Sequence, residues 1–287
     1  MDRSTRIVIA ETEVEMGQLA GSALVDLLEQ YTVRRGVPVV LNLAAAPSQD
    51  ASYRCLVERR SGIDWCKVHA IHLDEYIDLP RGHPHTFEQY LRHRVYGPTA
   101  IPEEHIHTIK GVQQQLGENA FSDVIAEVYG RVATDHIARA RSAGGVLIAH
   151  IGIGVNGHIA FNEPHVDKWT RDFAIPVEID DVSVRQQYDD YKDHVDPAAR
   201  YASIADVPRR AVPVSVGGIL ESDHIVCVVP GSHKADAVAA SLDGPLTETV
   251  AGSLLRTAAD VRWFLTQDSA AKLTPRRPTS TTPCLSN

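Results

Sequence analysis

The sequence predicts a single-domain α/β protein: three layers, α/β/α, around a mostly parallel, Rossmann-like sheet. Two observations carry the prediction. Short apolar runs alternate with longer amphipathic segments along almost the whole chain, and strands separated by helices pair in parallel with both faces covered. There is also no internal repeat and no linker-like composition in mid-chain. One domain is therefore expected over residues 1–273. The Pro/Ser/Thr-rich tail, residues 274–287, is expected to be disordered.

The elements follow in order. "ETEVEMGQLAGSALVDLLEQYTVRRG" places Met16, Leu19, Ala23, Leu27 and Tyr31 near one helical stripe. "VPVVLNLAAA" (37–46) reads as a buried strand, and "ASYRCLVERR" as a helix. "KVHAIHLDEY" (67–76) is a second strand, "HTFEQYLRHRVYG" a helix, and "HIHTIKG" a short extended piece. "NAFSDVIAEVYGRVATDHIARARSAGG" is a long helix stopped by Gly144 and Gly145. "VLIAHIGIG" is a third strand and "HIVCVVPGS" (224–232) a fourth. "KADAVAASLDG" is a helix, and "VRWFLTQ" (261–267) closes the domain.

Composition excludes several classes of function. A net charge of −9 argues against a nucleic-acid or membrane-surface partner, each of which favours a basic face. No apolar run reaches 18 residues, and the N-terminus lacks the layout of a signal peptide. Cys55, Cys66, Cys227 and Cys284 have no C-x-x-C spacing and read as free thiols in a reducing cytoplasm. The 14 histidines do not suggest a metal centre. "HPHTF" and "HIH" are scattered over loops without a third ligand of clear spacing, and most histidines are expected to be exposed.

In open parallel sheets, ligands bind beyond the carboxyl ends of the strands. "GIGVNGHIAFNEP" (152–164) directly follows an apolar strand. Gly152, Gly154 and Gly157 match G-x-G-x-x-G, yet Pro164 comes seven residues later and limits any helix launched from the turn. A dinucleotide site is therefore a minor reading. A purely structural turn leaves Asn156, His158, Asn162 and Glu163 unexplained, because burying such groups without partners is costly. The remaining reading is a loop whose glycines bring backbone close to a small polar ligand while His158 moves protons, its ring fixed by Glu163 or Asn156. "HLDEY" ends another strand in two acids. Asp74 and Glu75 point to opposite faces, so one can face the site while the other pairs elsewhere.

These motifs carry a resemblance. "GIGVNGHIAFNEP", "HLDEYIDLPRGHPHTFEQYL" and "VVPGSHKADAVAASLDG" resemble, in order and spacing, three motifs of the glucosamine-6-phosphate deaminase/isomerase family. The resemblance covers most of residues 10–273. The 6-phosphogluconolactonases share the fold but typically lack the "FNEP" ending. The resemblance implies that Asp74 removes the C2 proton of an open-chain sugar and returns it to C1. It implies that His158 opens the ring, supported by Glu163, with Asn156 where some members carry Asp. It assigns Lys234 to the substrate phosphate, with Arg185 as a second phosphate ligand from a lid. Gly152 and Gly154 would line the substrate site.

The chain also departs from the family. Where members carry a Gly/Thr-rich phosphate loop, this chain has "LNLAAAPSQD". Ala45 and Ala46 supply no hydroxyl and Pro47 removes a backbone donor, leaving Ser48 and Gln49 as polar contacts. Thr257 stands where a histidine is usual, and "HVDKWTRD" lacks the cluster that forms an allosteric phosphate site in some members. No such activation is expected.

The function expected is that of an amino-sugar phosphate isomerase/deaminase, turning glucosamine 6-phosphate into fructose 6-phosphate and ammonia without a cofactor. A dehydratase acting on N-acetylglucosamine 6-phosphate is the alternative, since the same C2 deprotonation can expel the C3 hydroxyl. A sugar-lactone hydrolase and a non-catalytic sugar-phosphate sensor are more distant. The expected partner is a phosphorylated amino sugar, with no nucleic acid and no membrane. Homo-oligomer formation is left open.

Overall fold

The computed structural model describes residues 4–192 and 200–274. The cysteine at position 284 and the tail expected over residues 274–287 lie, except for Thr274, outside the described residues. The strands are β1 (Ser4–Ala10), β2 (Val39–Leu43), β3 (Val68–His72), β4 (Asp74–Tyr76), β5 (Ile106–His107), β6 (Val146–Ile151), β7 (Val177–Glu178), β8 (Arg210–Pro213), β9 (His224–Val229) and β10 (Asp260–Thr266). The helices are α1 (Glu13–Leu28), α2 (Asp50–Glu58), α3 (Phe87–Leu91), α4 (Ile109–Leu116), α5 (Ser122–Ser142), α6 (Asp181–Tyr191), α7 (Val216–Leu220), α8 (Ala235–Leu242) and α9 (Ala251–Leu254).

Seven strands form one parallel sheet in the order β1-β10-β9-β6-β2-β3-β5. Helices cover both faces, giving two apolar layers. On one side α5 packs Ile125, Tyr129, Ala133 and Ile137 against Ile71, Leu147 and Ala149. On the other, α1 and α2 pack Met16, Leu24, Tyr53 and Leu56 against Val39, Leu41 and Ile148. The central strands β2 and β6 are buried at every residue, so neither face tolerates a polar alternation. Gly144, with φ +78, supplies the left-handed stop after α5.

The structure revises three expectations. The stripe expected on α1 is only partly right: Met16, Leu27 and Tyr31 are buried, but Leu19 is 40% exposed, and the buried face also carries Gly17, Ala20, Gly21, Leu24 and Leu28. Glycine makes this face. A Cβ on Gly17 would stand 2.2 Å from the Cβ of Ala51, and one on Gly21 2.5 Å from that of Cys55, so α1 and α2 touch backbone to backbone. An additional edge strand, β1, precedes the helix and pairs along its whole length with β10. Finally, residues 67–76 are not one strand. The chain leaves the main sheet at Leu73, and β4 pairs antiparallel with β8 in a small three-stranded sheet, β4-β8-β7. "HIHTIKG" is extended only at β5, after which α4 begins at Ile109 under the Thr108 cap.

Candidate active site

Four strand ends meet at one cavity of about 250 Å³. The turn after β2 contributes Ala44 to Gln49, the break between β3 and β4 contributes Leu73 and Asp74, the glycine loop after β6 contributes Gly152 to Gly154 and His158, and the turn after β9 contributes Gly231, His233 and Lys234. Glu13 and the α6 residues Gln186, Gln187 and Asp190 complete the rim.

Asp74 reaches the cavity because the chain changes sheets there. As the first residue of β4 it is paired with Pro213, and its neighbour Glu75 points the other way. Glu75 is fully buried and accepts hydrogen bonds from the amides of Tyr76, Phe87 and Glu88 at 2.9–3.0 Å, capping α3. The two acids thus divide between a cavity and a helix end. Burial, reinforced by the charge of Glu75, holds the Asp74 carboxyl well above the usual carboxylate range.

The glycine loop folds around His158. The amide of Gly154 donates to His158 O at 2.8 Å, and that of Gly157 donates to Gly154 O at 3.0 Å. Gly157 has φ +81, which a glycine adopts without strain. A Cβ on Gly154 would lie 2.1 Å from the His158 ring, so the imidazole rests on bare backbone. Gly152 plays the same part for Gln49, whose amide nitrogen would be 2.8 Å from an added Cβ.

Behind the ring is a polar cluster. His158 Nδ1 lies 3.0 Å from Ser183 Oγ and 3.5 Å from Glu163 Oε2. The Asn156 side chain donates to Glu163 Oε2 at 3.4 Å and accepts from the His158 amide at 3.0 Å. Asn162 ties the loop to the small sheet by donating to Ile159 O and Val214 O. Burial and the nearby Lys234 charge push the His158 pKa down to about 3, so its imidazole is neutral at physiological pH. Burial pushes Glu163 up to about 7. A neutral base therefore stands beside an acid poised near neutrality.

Among the described residues, Lys234 is the only lysine or arginine that lines the cavity. Its ammonium donates to Ile153 O at 2.8 Å, and burial lowers its pKa to about 8. Gln49 is fully buried beneath Ser48, donating to Ser48 Oγ at 3.2 Å, and its Oε1 has no partner among the described residues. The turn Ala44–Gln49 thus offers a hydroxyl and an amide oxygen to a ligand.

No protein-family model matches the chain. Among individual relatives, it is 31% identical over 269 residues to the glucosamine-6-phosphate deaminase of Rhodococcus jostii, covering 93% of this chain and 92% of that one. It is 30% identical to the enzyme of the same name from Rhodococcus opacus, with the same coverage. The chain belongs to the glucosamine-6-phosphate deaminase family. Its fold matches that of a solved monomeric glucosamine-6-phosphate deaminase, with a TM-score of 0.74 at 22% identity over 93% of this chain and 99% of the other. It also matches a 6-phosphogluconolactonase from Trypanosoma brucei, with a TM-score of 0.70 at 13% identity over 95% and 100% of the two chains.

Within this family frame, the residues singled out from sequence fall into three groups. Asp74, His158, Ala45, Ser48, Gln49, Gly152, Gly154 and Lys234 line the cavity. Asn156 and Glu163 stand behind His158. Arg185 does not reach the cavity. It is exposed on α6 and lines an adjoining groove with Val155, Asp181, Val182 and Asp189, which shares Gln186, Asp190 and His233 with the cavity. The reason is helical phase: its neighbours Gln186, Gln187 and Asp190 take the face that turns inward.

Sequence reading missed Ser183, Gln186 and Gln187. Ser183 is fixed by the Asp180 cap of α6, and Gln186 Oε1 accepts from the Val155 amide at 3.0 Å, locking the helix to the glycine loop. The run "SVRQQ", one residue after "DD", carried that signal, but only once α6 is seen to start at Asp181. The expectation of scattered, exposed histidines also needs correction. His69, His105, His107 and His136 gather in one partly buried cluster, with rings 3.8–5.6 Å apart in successive pairs. Among the described residues, no helix is long and apolar enough to cross a membrane.

Proposed function

We propose that the protein converts glucosamine 6-phosphate and water to fructose 6-phosphate and ammonia, with Asp74 and His158 carrying the proton transfers. The observation that carries this reading is that Asp74 and His158, 84 residues apart in the sequence, line one cavity that holds a single buried lysine.

The phosphate pairs with the Lys234 ammonium, and Ser48 and Gln49 accept or donate to the sugar hydroxyls. His158, held at Nδ1 by Ser183, uses Nε2 to take the proton of the C1 hydroxyl and hands a proton to the ring oxygen as the C1–O bond to that oxygen breaks. Glu163, once ionised, stabilises the imidazolium formed in passing. Asp74 then takes the proton from C2. The electron pair released forms the C1–C2 double bond while the C1 carbonyl pair moves onto O1, which takes a proton from the C2 ammonium. The nitrogen lone pair so freed drives C1 to take the proton back from the same carboxyl, leaving a C1 hydroxyl and an iminium on C2. Water adds to C2, ammonia leaves, and the ketone remains.

The charge of the cavity favours a free amine. Asp74 is desolvated without a cation beside it, and an ammonium on C2 offsets that cost while acidifying the C2 hydrogen. An acetylated nitrogen brings no charge. The names of the relatives point the same way, and the dehydratase and sensor readings are not favoured.

Proton NMR in D₂O on glucosamine 6-phosphate and, separately, its N-acetyl form tests the proposal. Deuterium appearing in fructose 6-phosphate with release of ammonia is the expected result, abolished by Asp74→Asn with substrate binding retained. An unsaturated product from the acetylated sugar without ammonia would replace deamination by dehydration. Normal turnover by Asp74→Asn would remove that residue from the chemistry.

A further inference from the structure

At the far edge of the main sheet, His69 on β3, His107 on β5 and His136 on α5 each place one ring nitrogen within 4.8 Å of the other two. None of them lines the cavity. His69 lies five residues before Asp74, on β3, ahead of the break at Leu73 where the chain changes sheets. We propose that His69, His107 and His136 form a divalent transition-metal site, zinc by preference, that clamps the short edge strand β5 to β3 and α5.

The geometry suits tetrahedral coordination. Zinc–imidazole bonds of 2.0–2.1 Å place neighbouring ligand nitrogens about 3.3 Å apart. His69 Nδ1 and His107 Nε2 are already 3.3 Å apart. The His136 ring, half-buried and stacked 3.8 Å from that of His107, completes the set by a side-chain adjustment. Three imidazoles plus water is a familiar zinc set, and imidazole ligands suit copper and nickel as well.

Two further features point to a bound cation rather than to packing. His69 and His107 face the α5 side of the sheet beside Ile71. Aliphatic side chains would fill such positions without bringing together bases that repel one another when protonated. In addition, His105 stacks on His69 with ring centres 4.0 Å apart, and its Nδ1 is buried with no hydrogen-bond partner among the described residues. A water on the metal would satisfy that nitrogen.

The clamp has a structural rationale. β5 is two residues long and pairs with the sheet through Ile106 and His107 alone. Ligands drawn from a strand, its edge neighbour and a covering helix would convert binding energy into stability of that edge.

The test is calorimetric titration of Zn²⁺ into chelator-treated protein, with Co²⁺ spectra and thermal unfolding alongside. One ion per chain is expected. His136→Ala, on a helix surface, should weaken binding about ten-fold or more, and the double variant His69→Ala/His107→Ala should abolish it. Co²⁺ should show tetrahedral bands without thiolate charge transfer, which separates this site from the exposed Cys66. Zinc should raise the unfolding midpoint of the wild type but not of His136→Ala, whose circular dichroism should match the wild type. Absence of saturable binding to the wild type would overturn the proposal, as would binding that His136→Ala leaves unchanged.

Discussion

Ser183 Oγ lies 3.0 Å from His158 Nδ1, so a helix that begins 17 residues after the end of the glycine loop fixes the ring of its histidine. Both partners are buried, and the Asp180 cap holds the Ser183 backbone through its amide at 2.8 Å. The bond selects which nitrogen faces Ser183 and leaves Nε2 for the substrate. Ser183→Ala is therefore expected to lower kcat about ten-fold or more with little change in KM, since positioning rather than binding is lost. Steady-state kinetics on glucosamine 6-phosphate decide it. A change confined to KM would make Ser183 a binding residue.

Gly154 is where the loop admits no other side chain. An added Cβ would overlap the His158 ring at 2.1–2.5 Å, and the ring cannot retreat because Ser183 and Glu163 stand behind it. Gly154→Ala should cost about 1–3 kcal/mol of stability by overpacking and about a hundred-fold in kcat by moving the ring roughly 1 Å. Denaturant unfolding and kinetics on the same preparation separate the two effects. Retention of full activity would show that the ring's position is not critical.

How far the sequence reveals this arrangement depends on distance along the chain. Strands β2, β6 and β9 are legible because burial forces mostly apolar runs, and β10 is legible from Trp263, Phe264 and Leu265. Strand β1 is not, being an edge strand with Arg6 in its middle. The stripe on α1 is partly misread because its contact with α2 is made by Gly17 and Gly21, which carry no hydropathy signal. Asn156, His158 and Glu163 lie within eight residues of one another and are read together. Ser183 and Gln186 join them only through the docking of α6, and that Arg185 lies off the cavity-facing side of α6 is invisible without the helix start. The histidine cluster draws on residues 69, 105, 107 and 136, whose meeting depends on the pairing of β3 with β5 and the packing of α5.

Lys234 and Arg185 should behave oppositely. Lys234 is buried against the cavity and its pKa falls to about 8, below the ordinary lysine value. Lys234→Met is expected to raise KM about ten- to hundred-fold, the loss of a charge-assisted hydrogen bond to phosphate. In the wild type, kcat/KM should decline as the pH rises through about 8, because the free enzyme then loses the ammonium that binds phosphate. Arg185→Ala, outside the cavity, should change KM less than about two-fold. A large KM effect at Arg185 would mean that α6 moves to bring it over the substrate.

Glu163 links function to stability, with opposite dependence on its ionisation. Burial raises its pKa from the ordinary 4.5 to about 7, so between those values the folded chain keeps a proton that the unfolded chain has released. Its contribution to stability is full below about pH 4.5 and is lost as the pH rises through about 7. Above that, an ionised carboxylate sits fully buried beside His158. Catalysis needs the opposite form, because only the carboxylate stabilises an imidazolium. Glu163→Gln should therefore raise stability at pH 8, by on the order of 3 kcal/mol, and leave it nearly unchanged at pH 4. It should lower kcat about a hundred-fold and remove the acid limb expected near pH 7 in the wild-type kcat/KM profile. Unfolding at the two pH values, with both pH–rate profiles, tests the pair of effects together. Equal loss of stability at pH 4 and pH 8 would make Glu163 a structural hydrogen-bond acceptor, and an unchanged acid limb would assign that titration to another group in the cavity.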